Sequence, residues 1–88
     1  MVQKNDGNNF CQFIETSILN AIKELAKKPE MTKERLQEIA RLTLDLIKPE
    51  MTVDELYQNM IKIDDQFTEL SPTISLVIKE YLEKYQEK

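Results

Sequence analysis

Lys28-Pro29-Glu30-Met31-Thr32 and Lys48-Pro49-Glu50-Met51-Thr52 are the same five residues, placed twenty positions apart. Each copy leads into a charged stretch that reaches a leucine, through Lys33-Glu34-Arg35-Leu36 after the first and Val53-Asp54-Glu55-Leu56 after the second. Proline disfavours the helical region for the residue before it, so Lys28 and Lys48 read as helix ends. Their positive charge also complements the negative end of a helix dipole. Thr32 and Thr52 then read as N-caps, whose hydroxyls accept from a backbone N–H two or three residues on. Glu55 completes a capping box with Thr52, whereas Arg35 holds the equivalent place after Thr32 and leaves only half of one. Met31 and Met51 precede the caps, and Leu36 and Leu56 occupy the fourth helical position, which is the spacing of a hydrophobic staple. The repeated pentapeptide is therefore read as a helix connector used twice and not as a recognition motif. A third copy would begin near Thr68, where Glu69-Leu70-Ser71-Pro72 does not fit, and two units are too few for a solenoid.

Outward from these joints the apolar periodicity is helical throughout. Asn9 is an N-cap candidate, and Phe10, Cys11, Ile14, Ile18, Ala21, Ile22 and Leu25 recur at steps of three and four. In the second segment Leu36, Ile39, Ala40, Thr43, Leu46 and Ile47 share a core face, flanked by Leu42 and Leu44. That arc is wider than one neighbour requires, so this helix is expected to pack against two others or against a subunit. Val53, Leu56, Met60, Ile63 and Phe67 make the seam of a third helix, with Tyr57 beside it. Ser71 followed by Pro72 reads as an N-cap with proline at the first helical position. Ile74, Val77, Ile78, Tyr81, Leu82 and Tyr85 then share one face. The expected fold is all-α, a small antiparallel four-helix bundle with helices at roughly 9–27, 33–47, 53–68 and 72–86. Residues 1–8 are expected to form a disordered tail, and 9–88 a single domain.

The 88 residues carry a net charge of −4, with 41% hydrophobic and 32% charged residues. A domain of this size has a limited core, and a partner subunit would help it. The acidic balance argues against nucleic acid and against an anionic membrane surface. No apolar run is long enough for a membrane span, and the polar start shows no signal peptide. The lone Cys11 fits a reducing cytoplasm.

Chemistry is sparse. The chain has no histidine, which removes the commonest general base and most zinc sites. Its one glycine, Gly7, removes phosphate-cradling loops. Cys11 lies on the buried stripe and reads as a core residue without a base to activate it. Asp64 falls at the edge of an apolar face, where a carboxylate needs a partner, and a basic residue such as Arg35 is the expected one. The chain is accordingly not expected to be an enzyme, nor to hold a cofactor or metal.

What remains is surface. Phe13 falls beside Thr16, Ser17 and Asn20, Ile61 beside Tyr57, and Leu76 among Thr73, Glu80 and Glu83. Aromatic residues often anchor interfaces, so Phe13, Tyr57, Ile61 and Leu76 form the candidate interaction surface. Two readings of function follow. One is a non-enzymatic protein-interaction or self-associating helical domain. The other is a small acidic inhibitor, antitoxin-like, that masks a basic partner, for which charge steering would be an advantage.

Overall fold

The computed structural model describes residues 6–85, with the side chain of Asp6 left aside. It is built of α1 (Asp6–Leu25), α2 (Lys33–Leu46), α3 (Val53–Gln66) and α4 (Ser71–Glu80). A 3₁₀ turn (Thr68–Leu70) leads into α4 and a π-helical turn (Tyr81–Tyr85) follows it. No strand occurs among the described residues. The four helices form the expected antiparallel bundle. Helices α1 and α3 each pack on the other three, while α2 and α4 occupy opposite corners.

Both pentapeptides fold alike. The Met31 N–H donates to the Lys28 carbonyl at 3.2 Å and the Met51 N–H to the Lys48 carbonyl at 3.1 Å. Each Lys-Pro-Glu-Met is thus a β-turn with proline at its second position, where the fixed φ of the ring suits the turn. The threonines then cap as expected. Thr32 Oγ1 accepts from the Arg35 N–H and Thr52 Oγ1 from the Glu55 N–H, both at 3.1 Å. Glu55 Oε1 accepts in return from the Thr52 N–H at 2.9 Å, which completes the capping box.

Helix ends differ from expectation by a few residues. Helix α1 stops at Leu25, followed by tight bonds from Lys27 to the Glu24 carbonyl and from Lys28 to the Leu25 carbonyl. Helix α2 stops at Leu46 and α3 at Gln66. The start of α1 moves further. Residues 6–8, expected in the tail, belong to the helix, while residues 1–5 lie outside the described part. Gly7 is the reason this first turn fits. It is buried against the second joint, where a methyl on its Cα would collide with the Met51 carbonyl oxygen. Only glycine lets the two backbones approach that closely.

The core joins Phe10, Cys11, Ile14 and Ile18 of α1, Ile39 of α2, and Leu56, Met60 and Ile63 of α3. Leu70, Ile74 and Val77 close it from the fourth corner. Thr43 is the one buried polar residue among those described, and its hydroxyl donates to the Ile39 carbonyl one turn back at 2.8 Å. Leu82, expected on the inner face of the last helix, is instead about half exposed. The π turn carries Tyr81 and Tyr85 onto Phe10 instead, at ring separations of 5.8 and 4.8 Å.

Candidate functional site

Two polar clusters hold the helices in register, and both differ from the sequence expectation. Asp64 does not pair with Arg35. Its carboxylate accepts from the Ser71 hydroxyl at 2.8 Å. Ser71 is therefore not the N-cap of α4: it is already helical, with φ −53° and ψ −44°, because the 3₁₀ turn feeds straight into the helix. Its hydroxyl, released from capping, turns back to α3. Arg35 instead reaches Glu69, with Nε 2.6 Å from Oε2 and Nη2 2.9 Å from Oε1. It also donates to the Gln66 carbonyl at 3.3 Å and lies 4.5 Å from the Phe67 ring centre. The position that completes a capping box in the second joint thus ties α2 to the end of α3 in the first.

Asn59 supplies a third tie. Its amide donates to the Leu46 carbonyl at 2.8 Å and lies 3.5 Å from the Met51 sulfur. Leu46 ends α2, so its carbonyl belongs to the group that a helix terminus leaves unsatisfied. Near the start of α3 Tyr57 stacks on Tyr81 with ring centres 4.4 Å apart, and the Tyr81 hydroxyl donates to Asp54 at 3.0 Å. Burial and that carboxylate raise the phenol above its ordinary range. Cys11 is fully buried, and its thiol donates to Glu15 Oε1 at 3.3 Å. Burial first, and then the bond to Glu15 and its charge, push this thiol up to about 12. A thiol so held is a poor nucleophile. No group of three metal-ligating side chains assembles among the described residues. None of their helices is long and apolar enough to cross a membrane.

The four expected interface residues are spread over three helices. Phe13 on α1 and Tyr57 on α3 are half-buried and pack against the core. Phe13 is thus less open than its wheel position implies. Ile61 is half-buried on α3. Leu76 alone is open, 67% exposed beside a groove between α1 and α4. That groove is about 420 Å³, but charged Glu24, Lys28 and Glu69 and polar Ser17, Asn20 and Thr73 share its lining.

A more apolar surface lies between α1 and α2. Leu19 and Leu44 are 53% and 68% exposed there. Between them runs an open groove of about 260 Å³, lined by Ile18, Ile22, Ala40 and Thr43, with Glu15 as its single charge. Leu44 is a flank of the wide apolar arc on α2, so the excess seen in the sequence is left uncovered at this place. Leu42, the other flank, packs against the core. Leu19 had no place on the expected α1 stripe. Its signal was its position between Ile18 and Ile22, which turns it toward the helix that carries Leu44.

Comparison with protein-family models, curated proteins and solved structures gives no match to this chain.

Proposed function

We propose that the chain is a non-enzymatic helical interaction domain that associates with a second copy of itself through the α1–α2 face. The observation that carries this reading is the pair Leu19 and Leu44, both more than half exposed on the rims of one apolar groove. Two exposed leucines over an apolar floor are more than the scattered apolar residues of an ordinary surface. Covering them would extend a core that is small for a free-standing domain. The groove suits a like partner: Glu15 is the one charged residue that lines it, so the net −4 of the chain is not concentrated there. Non-enzymatic character is supported by the chemistry present: the sequence has no histidine, and the lone thiol is held protonated. The same reading puts the domain in the cytoplasm, since a single buried cysteine needs no oxidising compartment.

Sedimentation velocity over a concentration series tests the proposal. The expected result is a reversible monomer–dimer equilibrium that Leu19→Glu and Leu44→Glu each shift to monomer, with the helical circular dichroism retained. A strict monomer at high micromolar concentration would overturn it.

A further inference from the structure

Glu15, Leu19 and Lys23 stand one turn apart along α1 and all three are exposed; Glu15 and Leu19 line the groove, and Lys23 continues their stripe one turn further on. Residues four apart share a helix face, so this stripe reads acidic, apolar, basic. Such a stripe is its own complement when reversed. In a two-fold interface the same patch serves both partners, and residue i faces j while j faces i. Centring the axis on Leu19 sets leucine against leucine and brings each glutamate to a lysine.

We infer that the second copy sits on this groove about a two-fold axis at Leu19, with the two α1 helices antiparallel and Glu15 facing the partner's Lys23. This rests on the self-association proposed above and adds its geometry. A parallel arrangement would set Glu15 against Glu15 and Lys23 against Lys23, and like charges across an interface select against that register. Glu15 has the capacity for this contact. Its Oε1 takes the Cys11 thiol at 3.3 Å, and a carboxylate offers a second oxygen for the lysine. Leu44, on the opposite rim of the groove, lies beside the axis and widens the apolar centre on both copies.

Charge reversal tests the geometry separately from the association. Glu15→Lys alone sets lysine against lysine at both ends of the stripe, and Lys23→Glu alone sets glutamate against glutamate. Each is expected to weaken dimerisation roughly tenfold, the scale of two exposed ion pairs turned into repulsions. The double variant E15K/K23E is expected to return to within about threefold of the parent, because the stripe is then its own complement again. Mixing the two single variants is expected to give a heterodimer tighter than either homodimer. Melting curves of each variant establish that it folds, which matters for Glu15→Lys because it also removes the acceptor of the Cys11 thiol. A parent dimer whose affinity none of these changes alters would overturn the antiparallel geometry and leave self-association standing. A parent that stays monomeric would overturn both.

Discussion

Arg35 and Glu69, thirty-four residues apart, form a two-pronged ion pair at 2.6 and 2.9 Å, with the guanidinium also over the Phe67 ring. It joins the first turn of α2 to the 3₁₀ turn that leads into α4. The planar fork of arginine matches both carboxylate oxygens, and a lysine ammonium does not reproduce that match. Arg35→Lys is therefore expected to lower the melting temperature although it keeps the charge. A double-mutant cycle with Glu69→Gln should show coupling between the two positions, and strict additivity would show that the pair contributes nothing.

The same pair sets an acid dependence. The hydrogen bonds from Arg35, more than any other influence, hold the Glu69 carboxyl below its ordinary value of 4.5. The folded state thus binds this proton less readily than the unfolded one. Its contribution is complete above the unfolded value and is lost as pH falls from 4.5 through the lower folded value. Glu69→Gln is expected to flatten that part of the stability profile and leave the neutral range parallel to the parent. Urea unfolding between pH 3 and pH 7, roughly the window over which carboxylates titrate, measures it.

Gly7→Ala is expected to act against the usual rule. Alanine in place of a helical glycine ordinarily favours the helix by about 0.5–1 kcal/mol. Here the added methyl meets the Met51 carbonyl oxygen, which is backbone and cannot swing aside as a flexible side chain would. Overpacking of this kind costs about 1–3 kcal/mol, so the variant should unfold at lower denaturant concentration than the parent. A stabilised variant would show that the first turn of α1 does not lie on the second joint.

The thiol of Cys11 gives a chemical readout of the core. Raising its pKa from 9.0 to about 12 leaves about a thousandfold less thiolate at pH 8. Alkylation by iodoacetamide should therefore follow unfolding, with a rate that rises in step with the unfolded fraction. Rapid labelling of the native protein would contradict the buried position of Cys11.

Thr52→Ala removes a hydroxyl that accepts the Glu55 N–H and leaves the reciprocal Glu55 bond without its frame. The expected cost is about 1 kcal/mol. Thr32→Ala removes a cap of the same length without a capping box behind it. The second joint should therefore be the more sensitive of the two in thermal unfolding.

The two joints were legible in the sequence because capping and turn formation act over three to five residues. Thr52 and Glu55 need no knowledge of the rest of the fold, and neither does the wide apolar arc of α2. Contacts that depend on how one helix is rotated against another were not legible. Asp64 and Arg35 each required a partner, but which one depended on where the 3₁₀ turn set Ser71 and Glu69. Gly7 lies forty-four positions from Met51, and its burial has no trace in the local pattern. At the candidate interface the sequence marked Leu44 but not Leu19, because Leu19 lies off the apolar stripe of α1 and its place on the α1–α2 groove depends on how the two helices meet. Phe13 is half-buried against the core although its wheel position faces outward, another effect of how the helices pack.

The ring contact of Phe10 with Tyr85, 4.8 Å between centres, closes the bundle where its first and last helical turns meet. The chain thereby forms a loop in space without a covalent seam. Joining these two regions by a short linker and opening the backbone in the exposed turn at residues 28–30 would give a circular permutant that starts at α2. In such a chain α1 follows the π turn, and the two aromatic residues become near neighbours in sequence. Their contact, which now spans almost the whole described chain, would then close a short loop at a much smaller entropic cost. The order in which the helices assemble would shift accordingly, with the α4–α1 contact made local and able to form early.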